Sequence, residues 1–171
     1  TAEQRTRELA KDDVYAFEEQ FEQRHLWTVA VSTGQTARLT EGNYSILAYD
    51  LSPDGQRLVV HRAPNPVLEY RDASEVWLTN SDGTHPVRLT NNGVSESGAR
   101  VSPDGSQVLF LSRSNGRFEK YYNNNLFLMS TDGKAVRIVA EELPYEFSAA
   151  AWSEDGGSVF VVANMGLHSE L

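Results

Sequence analysis

The sequence predicts an all-β chain built from repeated four-stranded antiparallel units, and three observations predict it. One turn occurs three times, as Ser52-Pro53-Asp54-Gly55, Ser102-Pro103-Asp104-Gly105 and Ser153-Glu154-Asp155-Gly156, at spacings of 50 and 51 residues. Each copy carries an apolar run three residues downstream: Leu58-Val59-Val60, Val108-Leu109-Phe110 and Val159-Phe160-Val161. An aromatic also recurs at one register, as Trp27, Trp77 and Phe127, in steps of 50. A turn that takes its downstream strand with it is a structural repeat, and a period near 50 points to a propeller-like array.

The chemistry of the turn explains its place. Proline arrives with φ already set for the second position of a type I turn, aspartate bonds the neighbouring backbone, and glycine supplies the positive φ that follows. Such a turn joins two antiparallel strands. In the third copy Glu154 stands where the others have proline, so a looser turn is expected there.

In chain order, residues 1–12 are helix-permissive with Leu9 the one large apolar side chain, and read as a lead-in, either a short helix or disordered. Val14, Tyr15 and Phe17 suggest a strand, the second of a first, partial blade whose third and outer strands run through Thr40. Trp27, Val29 and Val31 then alternate with smaller or polar residues, the period of a strand, and a turn at Ser32-Thr33-Gly34 leads to a strand through Leu39. The same pair returns as Glu75–Leu78 with Val87–Thr90 around Ser81-Asp82-Gly83, and as Leu126–Met129 with Val136–Ile138 around Thr131-Asp132-Gly133. Before each Ser-x-Asp-Gly turn lies one more segment, Ser45–Leu51, Ser97–Val101 and Ser148–Trp152, with Ala48, Gly98 and Ala149 at equivalent places. Small residues there suit a strand crowded near a central axis.

One unit therefore reads as inner strand, turn, second strand, variable loop, third strand, turn and outer strand. That is the blade of a β-propeller. The segments are a partial blade over 13–40, blades over 42–90 and 91–140, and a partial blade over 141–171, about three blades' worth. Propellers close with roughly 4–8 blades, so both ends are expected to be open and the isolated segment to self-associate, as a dimer. Trp27, Trp77 and Phe127 are expected to pack between adjacent units. The loops Ala63–Asp72 and Ser114–Asn124 are polar with scattered aromatics, and such loops on a rigid sheet are where recognition would sit.

Composition narrows the function. Fifteen Lys and Arg stand against 24 Asp and Glu, a net charge of −9, which argues against a nucleic-acid binder or adsorption to anionic membranes. The chain has no cysteine, which excludes disulfides, cysteine-ligated zinc and a cysteine nucleophile. No run approaches the ~18 apolar residues of a membrane span. The chain starts at Thr1 with no signal-peptide pattern, so the expectation is a piece of something longer, of periplasm or cytoplasm, with any signal peptide missing.

The run Ala99-Arg100-Val101-Ser102-Pro103-Asp104-Gly105-Ser106-Gln107-Val108-Leu109-Phe110 closely resembles the WD40-like repeat of two propeller families. One is the prolyl oligopeptidase family of serine peptidases, with its dipeptidyl-peptidase and acylaminoacyl-peptidase types. The other is TolB, a periplasmic interaction propeller. The resemblance covers nearly all of the chain from Asp13 onward. Asp13–Glu19, His25–Val29 and Arg38–Gly42 look like the peptidase propellers. In those enzymes the propeller precedes an α/β-hydrolase domain and covers its active site. The resemblance implies substrate gating and size selection, with peptides as partners through a hydrolase domain and no cofactor.

Catalysis is not expected of this chain. It holds no Gly-x-Ser-x-Gly elbow, and His25, His61, His85 and His168 show no recognisable spacing to a nucleophile or to a metal set. In dipeptidyl-peptidase-like enzymes two adjacent propeller glutamates anchor the substrate amine. Glu18-Glu19, after Tyr15-Ala16-Phe17, resembles that motif with one extra residue between tyrosine and the first glutamate, and charge complementarity suits such a role. The same pair also reads as the solvated edge of a strand with Glu22. Glu141-Glu142 is a second acidic pair without motif support.

Overall fold

The computed structural model describes residues 5, 6, 9, 22–67, 70 and 73–165. Arg5, Thr6 and Leu9 are helical. The described residues form twelve strands: β1 (Trp27–Val29), β2 (Thr36–Arg38), β3 (Ser45–Leu51), β4 (Arg57–Ala63), β5 (Glu75–Asn80), β6 (Val87–Arg88), β7 (Glu96–Val101), β8 (Gln107–Ser114), β9 (Lys120–Ser130), β10 (Val136–Val139), β11 (Glu146–Trp152) and β12 (Val159–Asn164). They form four antiparallel sheets. β3-β4-β5-β6 and β7-β8-β9-β10 are complete four-stranded blades, while β1-β2 and β11-β12 are half-blades. The fold is that of a β-propeller segment, with about three blades' worth of strands. The strand expected around Val14–Phe17 lies outside the described residues.

The turns are built alike. Ser52 Oγ, Ser102 Oγ and Ser153 Oγ each donate to the Asp carboxylate two residues on, at 2.5, 2.6 and 2.6 Å. Each serine oxygen also accepts the backbone amide five residues on, from Arg57, Gln107 and Ser158, at 2.9 Å. The closing amide of Gly55, Gly105 or Gly156 reaches the serine carbonyl at 2.8, 2.9 and 3.0 Å, and all three glycines sit near φ +70°, a region glycine alone enters without strain. The Glu154 turn is thus as tight as the others. Serine, aspartate and glycine make every bond in it, and proline only presets a dihedral. These hydrogen bonds hold the Asp104 carboxyl down at about 2, with Ser102 Oγ the largest cause.

Strand alternation sends successive side chains to opposite faces of a blade. Val108 and Phe110 of β8, with Phe127 and Met129 of β9, meet Val59, Val76 and Leu78 of the preceding blade. Leu109, Leu111, Leu126 and Leu128 point the other way, to β11 and β12. At the centre of the first cluster Phe127 stacks on Phe110 and Phe118 with centroids 5.3 and 5.2 Å apart. The blades are thus held to one another by apolar faces, at roughly 25 cal/mol per Å² removed from water.

The aromatic register does not behave uniformly. Phe127 is fully buried between blades. Trp77 is half-buried, with the Arg62 guanidinium 4.3 Å from its ring. Trp27 is 57% exposed, which corrects the expectation that all three pack between units. This register faces the preceding blade, and no blade covers that face of β1 among the described residues.

The expected loop over 114–124 is also corrected. β9 already begins at Lys120, and pairing shifts from Ser112↔Asn125 to Ser114↔Lys120. Tyr121, Tyr122, Asn123 and Asn124 therefore stand as a wide bulge opposite Arg113.

Phe127→Ala is expected to cost about 3–5 kcal/mol, the range for emptying a buried aromatic site. Trp77→Ala should cost visibly less, because part of its ring already meets solvent. Urea melts of the two variants check the order, and equal losses would contradict the packing described.

Candidate functional site

A polar cleft of about 570 Å³ opens between the two complete blades, lined by Ala48, His61, Ser95, Glu96, Ser97, Gly98, Arg113 and Asn124 among others. It sits where the inner strands break their pairing. β3 shifts register between Ile46 and Ala48, β7 between Ser97 and Arg100, and β11 between Phe147 and Ala149. The inner strand is thus bulged at the same place in each unit, at the positions where the sequence keeps Ala48, Gly98 and Ala149. Gly98 takes φ +63° inside its bulge. Bulges free backbone groups from the ladder and re-aim neighbouring side chains.

One freed group is captured across the blades. The Ala99 amide donates to His61 Nε2 at 3.2 Å, so His61 carries its proton on Nδ1, which has no hydrogen-bond partner. His61 is buried on β4, and burial pushes the imidazole down to about 4. Its equivalents in the later units are Leu111 and Val162, so a polar ring occupies a place that elsewhere holds an aliphatic side chain.

Two buried carboxylates stand at and behind the cleft wall. Glu96, buried, accepts from Thr90 Oγ1 at 2.5 Å, from Asn92 Nδ2 at 2.8 Å and from the Val76 amide at 3.3 Å. Burial nevertheless raises its carboxyl to about 7. Glu75 accepts the amides of Asn92 and Gly93 and pairs with Arg88 at 3.2 Å. Across the opening, Arg113 lies 3.7 Å from Glu146, and Asn124 Nδ2 donates to the same carboxylate at 3.4 Å. Both contacts are long, the Arg113 side chain is largely exposed and the Asn124 contact is part-buried, so neither residue is firmly held and both can turn to a ligand.

The cleft is equipped to hydrogen-bond. His61 Nε2 is committed to a backbone amide, and no hydrogen bond links it to Ser95 or Ser97. Among the described residues no group of three or more His, Asp or Glu is placed to hold a metal ion.

Of the sequence candidates, Glu18, Glu19 and His168 lie outside the described residues. Glu141 and Glu142 are exposed at the turn after β10. His25 Nδ1 lies 3.2 Å from Thr40 Oγ1 before β1, and His85 stands in a turn at φ 54°. Sequence reasoning missed Glu96, Arg113 and Asn124 as partners of one cleft. The available clue was His61 at a register otherwise aliphatic.

No protein-family model matches the chain. In sequence it is similar to the uncharacterized peptidase YuxL of Bacillus subtilis (strain 168), at 29% identity over 117 residues, 67% of this chain and 17% of that protein. The chain therefore spans about a sixth of the length of the curated relative it matches. In structure it is similar to an oligogalacturonate lyase in complex with manganese, with TM-score 0.66 and 14% identity over 86% of this chain and 43% of that one. It is similar to TolB from Acinetobacter baumannii, with TM-score 0.58 and 19% identity over 80% of this chain and 31% of that one. A prolyl endopeptidase gives TM-score 0.57 and 15% identity over 81% of this chain and 22% of that one. At these identities the structural likenesses show the propeller fold. The sequence likeness is to a protein described as an uncharacterized peptidase.

His61 gives a pH signature with a definite sign. Its folded value lies below the ordinary 6.5, so its contribution is fully present above 6.5 and is lost as pH falls through about 4. Glu96 acts oppositely, since its raised value favours the folded state below 4.5 and loses that contribution as pH rises through 7. Between pH 7 and pH 4.5 wild type should lose roughly 2–3 kcal/mol more stability than His61→Leu. Urea melts at the two pH values measure this, and equal losses, or an imidazole titrating near 6.5 by NMR, would contradict the buried clasp.

Proposed function

We propose that this chain is a non-catalytic propeller segment that gates or positions peptide substrates for a serine peptidase domain not contained in it. The observation that carries the reading is the cleft between the complete blades. It offers donors and acceptors suited to a peptide backbone, without a nucleophile joined to a base. The likeness to a peptidase in sequence supports the same reading. A dipeptidyl- or acylaminoacyl-peptidase type of parent is its finer form, in which Glu18 and Glu19 would take the substrate's amine.

The test is binding without turnover. Tri- to pentapeptides titrated into the chain should bind saturably, with Kd on the order of 1 mM or tighter, moving the amide resonances of Ser97, Arg113 and Asn124. Asn124→Ala should weaken binding several-fold, and N-acetylation of the peptide should weaken it if Glu18 and Glu19 hold the amine. Chromogenic aminoacyl and dipeptidyl substrates should show no turnover. Turnover blocked by an active-site serine reagent, or no resonance shifts at saturating peptide, would refute the reading.

The alternative is a TolB-like protein-interaction propeller. Tyr121 and Tyr122, both exposed on the bulge beside the cleft, favour it, because exposed tyrosines suit contact with a folded partner. A cleft indifferent to short peptides would leave this alternative in place.

A further inference from the structure

Hydrogen-bonding capacity in the cleft is unevenly used. Glu96, the carboxyl group of its wall, is fully engaged: Thr90 Oγ1 and the Val76 amide reach one oxygen, and Asn92 Nδ2 reaches the other. The donors are not engaged to the same degree. Among the described residues, no hydrogen bond holds the guanidinium of Arg113 or the hydroxyls of Ser95 and Ser97. His61, 3% exposed, adds to the same lining an Nδ1–H without a partner.

Arg113 is also the slackest of the ion-paired cations among the described residues. Arg88, Arg100 and Lys134 stand 3.2, 3.2 and 3.1 Å from Glu75, Asp50 and Asp132. Arg113 Nη2 stands 3.7 Å from Glu146 Oε1, and its side chain is 61% exposed. That separation is too long for a hydrogen bond. The Arg113 amide donates to the Ser95 carbonyl at 3.2 Å, which fixes the base of the side chain at the cleft while its fork stays loose. Asn124 Nδ2 reaches the same Glu146 oxygen at 3.4 Å. Two donors from the paired strands β8 and β9 thus converge on one carboxylate oxygen, and neither closes on it.

The geometry names the chemistry of a ligand. A guanidinium fork matches the two oxygens of a carboxylate, and charge-assisted bonds of that kind are short and strong. Glu146 is itself a carboxylate, held at this seat without being bonded firmly into it. The cleft, at about 570 Å³, falls in the size range of small-ligand sites and has room for the end of a short peptide. The chain as a whole carries a net charge of −9 and repels anions, so a bound carboxylate needs a locally free cation.

We propose that the cleft seats a carboxylate of its peptide ligand on Arg113 and Asn124, with the Ser97 hydroxyl as a further donor, and that Glu146 is the competitor the ligand displaces. This inference rests on the peptide-binding reading and adds the anchor to it. The carboxylate is either the peptide's C-terminus or an acidic side chain, since both present the same two oxygens to the fork.

Four peptides with a free amine separate the two sources: Ala-Ala-Ala, its C-terminal amide, Ala-Glu-Ala amide and Ala-Gln-Ala amide. Each is titrated into the 171-residue chain at pH 7, with backbone amide resonances as the readout. One carboxylate should tighten binding about 10-fold, as a charge-assisted hydrogen bond does. That ratio between Ala-Ala-Ala and its amide assigns the C-terminus, and the same ratio between the Glu and Gln peptides assigns the side chain. Arg113→Met should bring the ratio close to 1. Glu146→Gln should raise it several-fold, because the competitor loses its charge. Both side chains reach solvent, so circular dichroism should show both variants folded. Four peptides that move the cleft resonances with equal affinity would overturn the anchor and leave the peptide reading standing. No binding by any of the four would overturn both. A ratio that Arg113→Met leaves unchanged, or that Glu146→Gln lowers, would show a structural role for these residues and overturn the anchor.

Discussion

Each complete blade of this protein is a sheet with apolar side chains on both faces, most of them buried against neighbouring strands. Cover on both sides is the requirement that organises the rest. It explains why Val108 and Phe110 turn one way and Leu109 and Leu111 the other, and why both sets are buried. An amphipathic sheet would need one partner, whereas a blade needs two.

The cleft is a by-product of the same packing. Each inner strand shifts its pairing at the same place, and the small residues there, Ala48, Gly98 and Ala149, are exposed rather than crowded, a Cβ on Gly98 meeting open space. A bulge leaves an amide without a ladder partner. Between the complete blades the imidazole of His61 accepts that amide, which keeps a polar group inside an apolar stack. Around it, Ser97, Arg113 and Asn124 line an opening that the bulge over Tyr121–Asn124 widens. Binding groups thus collect where the sheet geometry fails locally, which is why the same scaffold suits recognition by different rims.

The sequence made the turns, the strand order and the two complete blades legible, because turn chemistry is local and alternation needs only near neighbours. Ser52, Asp54 and Gly55 specify their turn whatever lies beyond it. The inner-strand bulges were visible only as a preference for small residues, since a bulge is defined by its partner strand. The exposure of Trp27 was illegible for a related reason: burial at that register depends on the preceding blade, and Trp27 reads the same as Trp77. The cleft was hidden because His61, Ser97 and Arg113 are far apart in the chain and meet only through blade packing. Glu18 and Glu19 lie outside the described residues, so their role rests on resemblance alone.

The central claim is that the two complete blades form one cooperative unit through the face they share, with Phe110, Phe127 and Val59 in one cluster. Native-state hydrogen exchange in increasing denaturant tests it most directly. Amides of β4, β5, β8 and β9 should converge on a single opening free energy equal to that of global unfolding. Exchange of β4 and β5 through an opening that leaves β8 and β9 protected would show that the blades unfold separately, and would contradict the account.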